Sequence, residues 1–124
     1  MKLGPLRLKL QVACGDAVAF GPGKADLLGA IAAEGSIARA AAAMGMSYRR
    51  AWLLVDEMNR CFAPPLVETL RGGGTERGAR VTDTGAAVLA AYREMERDAA
   101  ALAERPAYAR LRTHLREAPL PSSK

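Results

Sequence analysis

The sequence predicts a mainly α fold carrying a small β-wing, and three observations point there. Two short helical runs meet at a glycine in SIARAAAAMGMSYRR, residues 36–50. A Pro-Pro stop precedes an extended stretch that becomes rich in glycine and arginine, LVETLRGGGTERGAR, residues 66–80. From Asp83 an alanine-rich run continues without proline as far as Arg105, with eight alanines between residues 86 and 103. At 124 residues, half of them hydrophobic, the chain has the size of one domain with an extension.

Each element arises from local chemistry. Residues 6–12, LRLKLQV, alternate leucine with polar residues, and AVAF at 17–20 comes after a Cys-Gly-Asp corner, which predicts an N-terminal β-hairpin. Gly21-Pro22-Gly23 stops the second strand, and Pro22 suits a first helical turn. Leu27, Leu28 and Ile31 share one face of that first helix, and Gly35 supplies a left-handed stop. Ser36 caps a second helix whose Ile37, Ala40, Ala41 and Met44 fall at i, i+3, i+4 and i+7. Gly45 ends it, Met46 plugs the corner, and Ser47 caps a third helix running to about Phe62, with Ala51, Leu54, Val55, Met58 and Phe62 inward.

Pro64-Pro65 ends the third helix and forces LVETL, 66–70, into an extended strand. A basic glycine loop and a short return strand to Val81 complete a wing, and Thr82 caps the long helix beginning at Asp83. Val88, Tyr92, Met95, Ala99 and Leu102 are spaced 4, 3, 4 and 3, the pattern of a self-associating seam. Arg105-Pro106 breaks this helix, and Tyr108, Leu111 and Leu115 suggest one more short amphipathic helix. Together these elements spell a winged helix-turn-helix plus a long C-terminal dimerisation helix. Residues 1–82 form the DNA-binding domain with its N-terminal hairpin, 83–118 a helical dimerisation extension, and 119–124 a disordered tail.

The net charge of +5 is unevenly distributed, with eleven Lys/Arg against seven Asp/Glu in residues 1–82 and six of each in 83–117. A polyanionic partner is therefore expected for the N-terminal two-thirds. One histidine, His114, and two separated cysteines, Cys14 and Cys61, assemble no zinc site, so neither metal nor cofactor is expected. The spacing leaves a disulfide open, although both thiols read better as reduced and Cys61 as a packing residue. No catalytic triad or acid/base pair is present, so an enzyme is not expected. Without a secretory or membrane-spanning segment, the cytoplasm is the expected compartment.

Double-stranded DNA is the expected partner. A second helix jutting from a three-helix core enters the major groove, where its first residues meet base edges. Arg49 and Arg50 lie in the first turn of the third helix, just before the inward stripe begins, where a guanidinium reaches guanine or phosphate; alternatively they are solubilising charges. Tyr48 and Ser47 offer hydroxyls to phosphate, Ser47 being more surely a cap, and Ser36 joins the candidate contacts at the start of the second helix. Trp52 falls at the boundary between core-edge packing and groove contact. In the wing, Arg71, Arg77 and Arg80 alternate with glycines that permit close backbone approach to phosphate.

The stretches GPGKADLLGAI, GSIARAAAAMGMSYRRAW, EMN and LVETLRGGGTERGARVTDTG resemble the N-terminal DNA-binding domain of ModE-type, molybdate-responsive regulators, and more distantly the LysR-type winged helix. The resemblance covers residues 21–103. It implies a homodimer formed through the long helix that binds a palindromic operator and regulates transcription, with a link to molybdate. Carried over by position, Ser47, Tyr48, Arg49, Arg50 and Trp52 match the recognition helix, Gly72 to Arg80 the wing, and Thr82 and Gly85 a helix-capping signature that lets the helix pack closely. Two departures stand out: the Thr-Glu-Arg insertion in the wing, and the end of this chain before any oxyanion-binding domain of the kind that senses molybdate in that family. A protein-interaction module on the same scaffold and a one-domain oxyanion sensor are the competing readings.

Overall fold

The structure, a computed structural model, describes residues 2–70 and 78–123. The stretch expected as one strand over 6–12 is divided. Gly4, at φ 65°, turns a minimal hairpin in which β1 (Lys2–Leu3) pairs with β2 (Leu6–Arg7). Residues 8–11 leave the ladder, and Leu10 packs on the core while its carbonyl accepts the Tyr92 hydroxyl at 2.8 Å. Val12 then rejoins a sheet, as β3 (Val12–Cys14) pairs antiparallel with β4 (Ala17–Phe20) around Gly15 at φ 59°. Alternation specifies an extended chain but not its partners, and a tyrosine 82 residues away claims the middle of it.

The helices begin and end where their caps dictate. Helix α1 (Pro22–Glu34) has Pro22 in its first turn and stops at Gly35, φ 76°, whose N–H donates to Ile31 O at 2.9 Å. Helix α2 (Ile37–Ala43) starts on Ser36, whose hydroxyl accepts the Arg39 N–H at 3.0 Å. It closes in a Schellman motif, with Met46 N–H donating to Ala41 O at 3.0 Å, Gly45 N–H to Ala42 O at 3.1 Å, and Gly45 at φ 68°. Met46 packs half-buried at that corner. Helix α3 (Tyr48–Cys61) then starts on Ser47, which accepts the Arg50 N–H at 3.1 Å.

The core lies among α1, α2, α3 and β4. Phe20, Leu27, Leu28, Ile31, Met58 and Leu66 are its largest fully buried side chains, each contributing about 1.5–3 kcal/mol by burial. Ala40, Ala41 and Ala51 let α2 and α3 approach closely, and on α3 the expected stripe is realised, with Val55 and Met58 buried and Leu54 and Phe62 half-buried. Phe20 meets Phe62 and Tyr92 edge to face, with centroids 6.1 and 5.1 Å apart.

After α3 the chain passes Pro64 through a cis peptide bond and forms an antiparallel hairpin, β5 (Val67–Leu70) with β6 (Gly78–Val81), in the register Val67↔Val81 to Leu70↔Gly78. Ala79 N–H donates to Gly35 O at 2.9 Å, joining the hairpin to the α1–α2 corner. Thr82 caps α4 (Asp83–Ala100), accepting the Gly85 N–H at 3.0 Å and donating to Pro65 O at 2.7 Å. Gly85 is buried so tightly that a Cβ there would fall 2.8 Å from Val81 Cγ1 and against Leu66 O. Glycine at 85 is a packing requirement.

The long helix is shorter than the alanine run. Its end tightens into a 3-10 turn, Ala101–Glu104, before α5 (Pro106–Arg112), and Leu115 lies beyond α5. The five seam positions divide: Tyr92 is buried in the core of its own chain, Val88 packs half-buried against it, Ala99 is half-buried, and Met95 and Leu102 are exposed. Phe20 and Leu10 take up Tyr92, which spacing alone assigns to a partner. Among the described residues no helix is long and apolar enough to cross a membrane.

Candidate nucleic-acid interface

Ser47 decides which side chains open α3. With that hydroxyl on the Arg50 N–H, residues 48–50 occupy the first turn, and Ala51, fully buried, fixes the rotation of the helix. The neighbouring positions must then face out: Tyr48 is 55% exposed, Trp52 46% and Leu53 48%, and Arg49 and Arg50 are also exposed. No acidic residue lies in this turn. Free helix N–H groups and two guanidinium groups thus share one electropositive end.

Four cations elsewhere in the fold, Lys24 among them, are engaged within the chain. Arg60 holds Asp56 at 3.0 Å, Arg93 holds Asp26 at 2.8 Å and Glu96 at 2.7 Å, and Arg80 pairs with Glu68 directly across the β5–β6 ladder. Among the described residues neither Arg49 nor Arg50 has a carboxylate partner. Among those residues nothing neutralises their charge.

The opposite end of α3 is fastened. Lys24, buried in α1, donates from Nζ to Val18 O on β4 and to the Glu57 carboxylate on α3. The hydrogen bond and charge of Lys24 hold the Glu57 carboxyl below the usual carboxylate range. Asn59 clamps the next strand: its Oδ1 accepts the Leu66 N–H at 2.9 Å and the Val67 N–H at 3.1 Å, and its Nδ2 donates to Val67 O at 2.9 Å. Sequence reasoning gives Lys24, Glu57 and Asn59 no individual role, although they fall in the GPGKADLLGAI and EMN stretches that carry the resemblance. An amide-bearing side chain just before a Pro-Pro break is the available signal for Asn59, but a lysine among apolar residues of α1 has no local signature of its partner.

The predicted contact residues do not all gather at one surface. Ser36 is 5% exposed and its hydroxyl is used by the Arg39 N–H and, at 3.4 Å, by Arg39 Nε, so it serves as a buried cap rather than an open contact. Ser47, Tyr48, Arg49, Arg50 and Trp52 do share the outer face of the start of α3. Trp52 borders a groove of about 460 Å³ whose other wall is the start of the hairpin, with Pro65, Val67, Glu68 and Thr69. Arg80 is an exposed hairpin residue, but engaged by Glu68. Arg71 and Arg77 lie outside the described residues.

Comparison with known proteins gives relatives for part of the chain. It is 41% identical over 92 residues to the molybdenum-pterin-binding protein MopA of Rhodobacter capsulatus, an alignment covering 74% of this chain and 35% of that protein. It is 44% identical over 70 residues to the molybdenum transport protein ModE of Azotobacter vinelandii, covering 56% of this chain and 26% of that one. With the DNA-binding transcriptional dual regulator ModE of Escherichia coli K12 it shares 38% over 71 residues, 57% of this chain and 27% of the regulator. The chain therefore spans about a third or less of the length of these curated relatives. No family model matches it.

Proposed function

We propose that this chain is a winged helix-turn-helix, DNA-binding part of a ModE-type transcriptional regulator acting in molybdate metabolism. In this reading α2 and α3 are the helix-turn-helix, the β5–β6 hairpin is the wing, and two copies associate through α4 and the helical segment after it to meet a palindromic operator. The chemistry is recognition, not catalysis. The observation that carries it is Arg49 and Arg50, without a carboxylate partner among the described residues, on an exposed, capped first turn of α3 beside Tyr48 and Trp52. The ModE and Mop relatives support the molybdate link.

Binding of the full chain to duplex DNA from upstream of its own gene, measured by gel shift, tests the proposal. If each subunit neutralises about three or four phosphates, log K against log salt for the dimer has a slope of about −5 to −7. Arg49→Ala or Arg50→Ala costs about 1–3 kcal/mol, with relaxed sequence choice where the arginine reads a base and a uniform loss where it holds phosphate. A salt-independent curve, or arginine variants that bind as well as the parent, would sink the reading.

The name of MopA favours a second reading, in which the chain itself takes a molybdenum oxyanion. The groove at the start of α4 suits an oxyanion poorly: it is lined by Glu68 and Asp83, and its one guanidinium, on Arg80, is already paired with Glu68. Two carboxylates repel an oxyanion more than one neutralised arginine attracts it. Titration with molybdate or tungstate, read by calorimetry, separates the two readings.

A further inference from the structure

We propose that Cys14 and Cys61 form a thiol–disulfide site, in which exchange with a low-molecular-weight disulfide ties the β3–β4 hairpin to the C-terminal end of α3. Nothing in this depends on what α3 binds. Cys14 ends β3 and Cys61 ends α3, 47 residues apart in sequence, yet the Lys24 strap brings their elements together. On one side the strap holds Val18 O, and Val18 stands opposite Ala13, next to Cys14 in the ladder. On the other it holds Glu57, one helical turn before Cys61 and therefore on the same face of α3. The strap thus sets the end of β3 beside the end of α3, where the Cys14 thiol helps to push the Cys61 thiol up.

The two thiols differ in a way that sets the order of events. Cys14 is exposed and Cys61 is half-buried, and both are free. Burial, the Cys14 thiol and the Glu57 charge push the Cys61 thiol up, whereas Lys24 pulls it down less strongly. Cys14 is thus the sulfur that an external disulfide reaches. Its thiolate attacks one sulfur of the small disulfide, forming a mixed disulfide and releasing one small thiol. Cys61 then loses its proton and attacks the Cys14 sulfur, expelling the second small thiol, so that two electrons and two protons pass from the protein to the small disulfide. The bridge closes a loop that contains β4, α1, α2 and α3 as far as Cys61, restricting the unfolded chain.

The test incubates the full chain with oxidised glutathione, then denatures it, alkylates free thiols and maps the peptides by mass spectrometry. The expected result is a monomer that has lost two hydrogens, carries no alkyl group, yields a Cys14–Cys61 linked peptide, and melts about 5–10 °C higher until a reductant is added. Cys14→Ser, at an exposed position, is expected to fold, to leave Cys61 alkylated and to lose the melting shift. A stable glutathione adduct on Cys14 with Cys61 still alkylated, or a bridge between two chains, overturns the proposal. So does a linked peptide in a protein that melts lower, because the proposal requires the bridge to form without straining the native packing.

Discussion

The two ends of α3 are built to opposite specifications. From Val55 to Phe62 the helix is held by Met58 in the core, by Glu57 through Lys24 to β4, and by Asn59 on three main-chain groups of the next strand. From Ser47 to Leu53 only Ala51 is buried, and the polar side chains project without partners among the described residues apart from the Ser47 cap. A helix fixed at one end presents the other in a defined orientation at no cost in packing. The exposed turn therefore needs no stabilising contacts of its own beyond a cap, and its side chains are released for a ligand.

This contrast predicts a graded response to substitution along one helix. The largest loss belongs to the fastened end: Met58→Ala leaves a cavity and costs about 2–5 kcal/mol, read as a lower midpoint in urea with an unchanged slope. Next comes Asn59→Ala, which strands two N–H groups and a carbonyl at the base of the hairpin and costs about 1–3 kcal/mol in the same assay. Ser47→Ala removes only the cap of the free end, for about 1 kcal/mol, with hydrogen exchange faster in the first turn of α3 and unchanged beyond Val55.

The smallest effect is conditional on pH. Because Lys24 lowers the Glu57 carboxyl in the folded chain, that pair stabilises above the ordinary carboxylate value of 4.5 and is lost as pH falls below it. Glu57→Gln flattens this part of the acid limb, measured as the melting temperature between about pH 6 and pH 3. An acid limb unchanged by Glu57→Gln would show that the Lys24–Glu57 pair does not fasten α3 and that Lys24 serves only to tie α1 to Val18 on β4.

What sequence could reveal depended on the range of the interaction. The caps Ser36, Ser47 and Thr82 and the stops Gly35 and Gly45 were legible because each involves hydrogen bonds within a few residues. The inward stripe of α3 was legible because helical period alone rotates it, and Gly85 was placed by resemblance. Where a distant residue decides, local pattern is silent. The strand over 6–12 is divided because Tyr92 takes Leu10 O, and the same bond removes Tyr92 from the seam. Arg80 reads as free in sequence because its cross-strand neighbour depends on hairpin register, and Ser36 reads as open because nothing local states that its helix start is covered.

The bond from Ala79 N–H to Gly35 O has a genetic consequence. Both of its atoms belong to the main chain, so among the coded residues only proline at 79 removes the donor, and an alanine scan, silent at Ala79, would register at Gly35 the strain of its left-handed φ rather than this bond. The tilt of the hairpin against the α1–α2 corner can thus be inherited through sequences that share little at position 79, while position 35 answers to its left-handed φ. Replacing the 79 amide by an ester in a semisynthetic chain would expose what ordinary mutagenesis hides.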